Sequence, residues 1–214
     1  MAQPQTKWEQ LYDQVHDDII NLRIEPGEKI SEIKLAERYS VSRAPVRNVI
    51  RKLQEVGLVI VKPQAGTIVL PISEQRAKDI LQLRLFLEPQ AAKLAVRRIT
   101  EEDLEHVSLE MENLKAMSLE SRDKGAVLSR TDGLLHQLIW DRCGNAEIGV
   151  IFKRYMPEMY RISLATRGSR TARMVPSQKE IEAILGALKH RDGDAAYEAM
   201  VIHIKNIEAA LQQL

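Results

Sequence analysis

The chain has 214 residues, of which 44% are apolar and 29% charged, and its formal net charge is +1. This length suits one large domain or two small ones, and the near-neutral total gives no overall signature of a polyanion-binding protein. The single cysteine, Cys143, excludes an internal disulfide and a cysteine-rich zinc site. Because the sequence shows neither a signal-peptide pattern nor an apolar run near the ~20 residues of a membrane span, we expect a soluble cytoplasmic protein.

The charge is distributed unevenly along the chain. Between Lys34 and Lys62 lie seven basic and two acidic residues, which give this segment a local charge of +5. Within it, Arg43, Arg47 and Arg51 are spaced by four residues and therefore share one face of a predicted helix. Such a basic face is either solvated or binds an anion.

The N-terminal region, residues 1–72, is predicted to begin with three helices. The first covers 6–23, and the second is short and follows Ser31, a candidate N-cap. The third follows Ser42, which can also cap a helix, and carries Pro45 in its first turn, where prolines are tolerated. Apolar side chains at helical spacing occupy the face opposite the arginines.

A hairpin and then a helical region follow. Gly57 is expected to end the third helix, and two β-branched runs around "KPQAG" predict a hairpin over 58–71. Turn residues at Pro71–Ser73 predict a domain boundary, so that 73–214 forms a second domain. This domain is predicted to be an all-α antiparallel bundle of about six helices. The first covers 73–98, and the second begins at Thr100, which is expected to cap it. The other four cover 124–143, 146–167, 177–190 and 193–213.

Helix, turn, basic helix and hairpin in this order are typical of a winged helix-turn-helix, in which the basic helix enters the DNA major groove. Guanidinium groups bind phosphate bidentately or recognise guanine through O6 and N7. Arg43 and Arg47 are therefore predicted to contact DNA, and Arg51 to contact phosphate or remain solvated. Ser42, at the positive end of the helix dipole, can donate to a phosphate.

The stretch "EPGEKISEIKLAERYSVSRAPVRNVIRKLQEVGLVIVKPQAGTIV" is similar to the winged-helix motif of the GntR family of bacterial transcription regulators. It departs from the family pattern at Asn48, where members often have Glu or Ala, and at Ile33, where some have a basic residue. The resemblance and the small residues of the hairpin tip together predict a DNA-contacting set consisting of Ser42, Arg43, Ala44, Pro45, Arg47, Arg51, Gly66 and Thr67.

Three polar side chains interrupt apolar stripes in the helical region. In "RTDGLLHQLIW", Asp132 falls at a core position and His136 lies one turn further, while His203 lies within the apolar stripe of the last helix. Buried charges need partners, and an aspartate with two histidines suits zinc, nickel or manganese. The alternative is a hydrogen-bonded Asp132–His136 pair with His203 as an unrelated core histidine.

This region resembles the FCD class of GntR effector domains in its "LRLFLE", its DxxxH followed by "GN", and its late histidine. Metal-binding members of the class use one aspartate and three histidines, and Asp132, His136 and His203 match three of these positions. The fourth position holds Ile181, with Glu180 beside it turned roughly 100° away on the helix. The resemblance therefore implies a three-ligand site for a divalent metal, with open positions for water or a carboxylate.

Candidate effector-binding residues form a second group. Arg84 lies on a mostly apolar helix, where it either clamps an effector carboxylate or pairs with Glu88 at i+4; we favour the ion pair. Asn145, Tyr160 and Arg161 are further candidates for lining the same cavity.

Three functions follow from these patterns. The first is a ligand-responsive transcription regulator, a repressor that binds a palindromic operator as a homodimer and senses a small organic acid through its helical domain. The second is a DNA-binding protein whose helical domain only dimerises. The third, a metal-dependent enzyme, leaves the basic helix unexplained. A pocket lined by Arg84, Asp132, His136 and His203 favours sensing, and a filled apolar interior favours dimerisation alone.

Overall fold

The computed structural model describes residues 6–20, 22–63, 66–71, 73–119, 121, 124–166 and 170–211. The chain divides into two compact units, Met1–Ser73 and Glu74–Leu214. Nine helices and one three-stranded sheet are present in the described parts of the chain, and the predicted mostly α fold is confirmed. No helix among these residues is both long and apolar enough to cross a membrane.

The first unit has the predicted order of helices, with a small antiparallel sheet. Its elements are α1 (Lys7–Ile20), β1 (Lys29–Ile30), α2 (Glu32–Arg38), α3 (Arg43–Glu55), β2 (Val59–Lys62) and β3 (Gly66–Val69). Strand β3 lies between β1 and β2 and is antiparallel to both. Its residue Ile68 pairs with Lys29 of β1 on one side and with Ile60 of β2 on the other. The strand β1 was not predicted, because two residues carry no detectable periodicity.

Apolar stripes on α1 and α3 face each other and form the core of this unit. The buried side chains are Leu11, Val15 and Ile19 on α1, and Val46, Val49, Ile50 and Leu53 on α3. Because a helix can bury only one face here, the basic residues of α3 are left on its solvent side.

The two short helices differ at their N-termini. Ser31 caps α2 as predicted, with its side chain accepting a hydrogen bond from the Lys34 N–H at 3.4 Å. Ser42 occupies the N-cap position of α3 as predicted, but its side chain makes no capping hydrogen bond. An N-cap oxygen accepts from the second or third helical N–H, and the third residue of α3 is Pro45, which has none.

The second unit is a bundle of six helices within the described residues. They are α4 (Glu74–Ala95), α5 (Glu101–Ala116), α6 (Lys124–Arg142), α7 (Ala146–Thr166), α8 (Arg170–Lys189) and α9 (Gly193–Leu211). The helix α8 was predicted to begin at residue 177, directly after Pro176, a residue that ordinarily marks a helix boundary. The helix instead continues through Pro176, as α4 does through Pro89 and α7 through Pro157.

The helices α4 and α9 form the most extensive pair of this unit, with α8 packed on α9 and α6 packed on α4. Fully buried alanines on α4, among them Ala91 and Ala92, permit the close approach of the neighbouring helices. Polar side chains from these four helices meet in an otherwise apolar interior, and that meeting point is the candidate ligand site of this unit.

Candidate functional site

The exposed face of α3 carries the predicted DNA-contacting cations. The side chains of Arg43 and Arg47 are 56% and 64% exposed, and Arg51 is exposed one turn further along the same face. Ser42 and Ala44 are exposed at the start of the helix, and Pro45 is partly exposed.

The hairpin differs from the prediction in one residue. Gly66 is exposed and has a φ of +88°, a conformation that favours glycine. Thr67, predicted to contact DNA, is only 8% exposed and lies opposite Ile30 and Val61 in the sheet. The alternation of strand β3 turns this side chain inward. The remaining tip residues, 64 and 65, lie outside the described residues.

A carboxylate on α2 connects the two leading arginines. The Oε2 atom of Glu32 accepts a hydrogen bond from Arg47 Nε at 2.9 Å and lies 3.6 Å from Arg43 Nη2. This contact cannot be predicted from sequence spacing, because it joins residues of two different helices.

Asp18 holds the first two helices of the unit together. Its carboxylate accepts hydrogen bonds from Arg23 Nε at 2.5 Å, Arg38 Nη2 at 2.7 Å and Tyr39 Oη at 2.5 Å. Burial acts to raise the pKa of Asp18, but these donors outweigh it and lower the pKa. The position of α2 against α1 is therefore fixed by a charged network as well as by apolar packing.

The structure brings the three predicted metal ligands into one buried cluster. Asp132 and His136 lie on α6 and His203 on α9. The two Nε2 atoms are 3.2 Å apart, and Asp132 Oδ1 is 3.3 Å from His203 Nε2 and 3.7 Å from His136 Nε2. All three side chains are buried, so Asp132 and the two histidines form one site rather than a pair and an unrelated core residue.

Two glutamates hold the outward-facing nitrogens of these histidines. Glu88 Oε2 on α4 lies 2.5 Å from His136 Nδ1, and Glu180 Oε2 on α8 lies 3.0 Å from His203 Nδ1. The sequence places Glu180 beside the fourth ligand position and about 100° from it on the helix, and its contact with His203 was not predicted. It stands behind His203, and its position depends on the rotation of α8 against α9, which sequence spacing does not define.

Arg84 makes the predicted ion pair and one further contact. Its Nε donates to Glu88 Oε1 at 2.8 Å, and its Nη2 lies 3.0 Å from His136 Nε2. The guanidinium therefore reaches the same imidazole nitrogen that faces Asp132 and His203.

The cluster stabilises charged forms that burial alone would disfavour. Burial acts to raise the pKa of Glu88, but Arg84 and His136 outweigh it and hold the pKa at about 2. Burial acts to lower the pKa of His203, but Asp132 and Glu180 outweigh it and raise the pKa. The site thus combines a permanent carboxylate and a permanent guanidinium with two imidazoles.

The donor set fits a divalent metal ion. Ligand atoms at the ~2.0–2.2 Å typical of zinc lie about 3.4 Å apart at the corners of a tetrahedron. The three observed separations, 3.2, 3.3 and 3.7 Å, bracket that value. Carboxylates on both Nδ1 atoms would fix the tautomer in which Nε2 is free to bind a metal. Ile181, fully buried on α8, provides no fourth ligand.

A small cavity of about 40 Å³ opens beside the cluster, well below the ~300–1,000 Å³ of typical small-molecule sites. One wall is charged and the other is apolar and aromatic. The Trp140 indole stacks on Phe152, and its N–H has no acceptor among the described residues. The cavity is lined by Arg84, Ser129, Asp132, Gly133, His136, Trp140, Met156, Met159 and Tyr160.

The predicted effector residues are only partly brought together. Arg84 and Tyr160 line the cavity, whereas Asn145 and Arg161 do not. Asn145 is exposed, and its Oδ1 accepts from the Glu147 N–H at the start of α7. Arg161 is 2% exposed, and burial lowers its pKa. Trp140, Met156 and Met159 were not predicted as lining residues, since each fits an ordinary core stripe.

Comparison with known proteins gives two family matches. Residues 7–69 match the model for bacterial regulatory proteins of the gntR family, and residues 79–206 match the FCD domain model. The chain is 28% identical over 222 residues to the HTH-type transcriptional repressor RspR of Escherichia coli, with 96% of this chain and 89% of that protein covered. It is 29% identical over 216 residues to the HTH-type transcriptional regulator LutR of Bacillus subtilis, with 90% and 95% covered.

Solved structures show the same fold. E. coli McbR/YncC aligns with a TM-score of 0.79 at 20% identity, covering 98% of this chain and 99% of that one. A putative GntR regulator from Rhodococcus sp. RHA1 aligns with a TM-score of 0.81 at 16% identity and the same coverage. These relatives are transcription regulators, which removes the enzyme alternative.

Proposed function

The chain belongs to the gntR family of bacterial regulatory proteins and carries an FCD effector-binding domain, and we propose how this transcription regulator works. It binds a palindromic operator in the bacterial cytoplasm as a homodimer, and represses transcription until a small organic acid occupies its helical unit. The two half-sites lie about one helical turn apart, because each protomer presents one recognition helix.

The DNA-binding half of the proposal rests on α3. Arg43 and Arg47 project from the first turns of this helix, where guanidinium groups can reach base edges in the major groove. Ser42 and the first-turn N–H groups lie at the positive helix end, where a phosphate is favoured. Arg51 follows one turn later as a phosphate contact, and Gly66 allows the wing to approach the DNA backbone closely.

The sensing half is carried by one observation: Arg84, Asp132 and His136 line a cavity. His203 lies outside that lining, with its Nε2 atom 3.2 Å from His136 Nε2. An organic acid would have to widen this small cavity, and would place its carboxylate toward Arg84 and its carbon skeleton against Met156 and Met159. This arrangement favours sensing over the alternative in which the helical unit only dimerises.

A divalent metal, zinc, nickel or manganese, is part of the proposal. Asp132, His136 and His203 would hold it, with Glu88 and Glu180 orienting the imidazoles. When bound, the metal supplies positive charge and open positions for a carboxylate. Arg84 would then turn its Nη2 from His136 toward the ligand.

Regulation requires that the effector bind differently to the DNA-competent and DNA-incompetent forms. Its target is the meeting point of α4, α6, α8 and α9, since each of these helices contributes a side chain to the polar cluster. A ligand that moves Arg84 or His136 therefore acts on the packing of several helices at once.

The test is a thermal-shift screen of small organic acids after chelation, with and without added zinc, nickel or manganese, together with metal analysis. We expect one metal to bind stoichiometrically and to raise the melting temperature of the protein. His203→Asn should abolish that rise, while the matched control His190→Asn, at an exposed histidine, should preserve it. Absence of both stoichiometric metal and metal-dependent stabilisation would exclude the metal site, and a screen without any stabilising acid would contradict the effector class.

A further inference from the structure

Glu32 is the one carboxylate that contacts the leading arginines of α3 among the described residues. We propose that Glu32 determines which DNA sequences this regulator binds, by orienting Arg47 and Arg43 toward guanine and by opposing their use as general phosphate-binding cations. The inference rests on the proposed DNA contacts of those two arginines.

The geometry of Arg47 supports an orienting role. Its Nε atom is engaged by Glu32 Oε2 at 2.9 Å, which leaves the two terminal nitrogens of the guanidinium available. Guanine offers O6 and N7 as paired acceptors in the major groove, and the terminal edge of arginine matches this pair. A guanidinium held through Nε therefore enters the groove with its two terminal nitrogens facing the guanine O6 and N7 atoms.

The second carboxylate oxygen has a possible partner on the DNA. Both contacts of Glu32 use Oε2, and Oε1 makes no hydrogen bond or ion pair within the described chain. A carboxylate oxygen beside a guanine-binding arginine can accept from the N4 amino group of cytosine. Glu32 and Arg47 together are thus suited to both halves of one G·C pair.

The charge of Glu32 has an effect that does not depend on sequence. Non-specific binding comes from attraction between cations and phosphates, and a carboxylate between two arginines weakens it for every DNA sequence. The orienting effect helps only where guanine is present. Specificity is the difference between the affinities for the operator and for other DNA. Weaker non-specific binding and better orientation toward guanine therefore both increase it.

A purely structural role is a poor explanation of the contact. The side chains of Arg43 and Arg47 are more than half exposed, and that of Glu32 is 32% exposed. Exposed ion pairs of this kind contribute little to folding stability. The helix α2 is already held by Ser31 at its start and by Asp18 through Arg38 and Tyr39.

The experiment compares Glu32→Gln with Glu37→Gln in the full-length protein. Glu37 is exposed on the same helix and has no side-chain contact to the arginines, so its variant removes the same charge alone. Affinities are measured at one salt concentration for an operator selected from a random duplex pool by the wild-type protein, and for a shuffled duplex of equal length. Circular dichroism verifies folding.

We expect Glu32→Gln to bind shuffled DNA more tightly and the operator more weakly, so that the specificity ratio falls about tenfold. Glu37→Gln should change both affinities by the same factor. Replacing operator guanines by 7-deazaguanine, which lacks the N7 acceptor, should weaken operator binding by the wild-type protein more than operator binding by the Glu32→Gln variant. Glu32→Asp, which keeps the charge but shortens the reach, should lose specificity without gaining affinity for shuffled DNA.

Equal specificity ratios for Glu32→Gln and Glu37→Gln would overturn the inference. Arg47→Ala distinguishes this failure from that of the underlying proposal. If Arg47→Ala binds the operator normally, the assigned DNA contacts are wrong. If it loses operator binding while Glu32→Gln matches its control, only the role of Glu32 is wrong.

Discussion

Glu88 is the most deeply buried charge among the described residues of the helical unit, with a side chain that is 0% exposed between Arg84 and His136. Its pKa in the folded protein is about 2, against an ordinary value of 4.5. Because the folded-state pKa is lowered, the ionised form stabilises the fold above about pH 4.5, and this stabilisation is lost as the pH falls through about 2.

This leads to a prediction for acid unfolding. Between about pH 5 and pH 2, Glu88 should contribute a loss of up to about 3 kcal/mol in the free energy of unfolding. Glu88→Gln should be less stable near neutral pH by about 3–5 kcal/mol, because Arg84 remains buried without its counter-charge, but should lose less on acidification. Urea unfolding at several pH values measures both effects.

Glu198→Gln, at an exposed position of α9, is the control and should follow the wild-type pH dependence. Identical pH slopes for wild type and Glu88→Gln would show that this carboxyl is not responsible.

At the same scale, the sequence predicted the candidate site unevenly. Asp132, His136 and His203 were found because a polar residue at a core position of a helix is a visible exception to the apolar period. Glu88 and Glu180 could not be assigned to the histidines, since each contact depends on how two helices are rotated against each other. Burial of Thr67 likewise depends on which face of a short hairpin packs inward.

The recognition helix α3 contains two kinds of cation at different distances from its N-terminus. Arg47 lies in the second turn and contacts Glu32, whereas Arg51 lies one turn further and makes no ion pair among the described residues. The first is suited to base recognition and the second to a phosphate.

Replacing each arginine separately should therefore give different results. Arg47→Ala should weaken operator binding by about 1–3 kcal/mol and reduce discrimination at one base pair, with helical content unchanged. Arg51→Ala should weaken binding to all sequences similarly and reduce the salt dependence by about one phosphate contact per protomer. Titrations of operator and shuffled DNA at several salt concentrations separate the two, and unaltered operator affinity for Arg47→Ala at moderate salt would contradict its assignment.

The predictability of the helices and strands follows from their length. Long amphipathic helices such as α1 and α9 were placed within a few residues, since several apolar turns define their faces. The strand β1 was missed because it has two residues, and α8 was shortened because Pro176 ordinarily marks a boundary. Both errors come from the same limit: tertiary packing and sheet pairing can override a local signal.

On the scale of the whole molecule, a net charge of +1 coexists with a segment of +5 between residues 34 and 62. A protein with this distribution binds polyanions through one surface without being generally basic. In the proposed homodimer two such surfaces act together on one operator, so the spacing of the half-sites becomes part of recognition.

Half-site spacing can be tested directly. Inserting about five base pairs, half a helical turn, between the half-sites should place them on opposite faces of the duplex and strongly weaken binding, whereas about ten should restore much of it. Gel-shift titration measures this, and sedimentation of the free protein gives its oligomeric state. Binding that is indifferent to spacing would indicate that protomers act independently.

The start of α3 differs from those of α2 and α5, whose caps are supplied by Ser31 and Thr100. With Pro45 at the third position and no bond from the Ser42 side chain, the first turn of α3 lacks a partner that the other two helices have within the chain. A DNA phosphate at that point would accept the remaining N–H groups. The operator would then act as the cap of the helix that recognises it, and part of the stability of the first unit would be acquired only on the DNA.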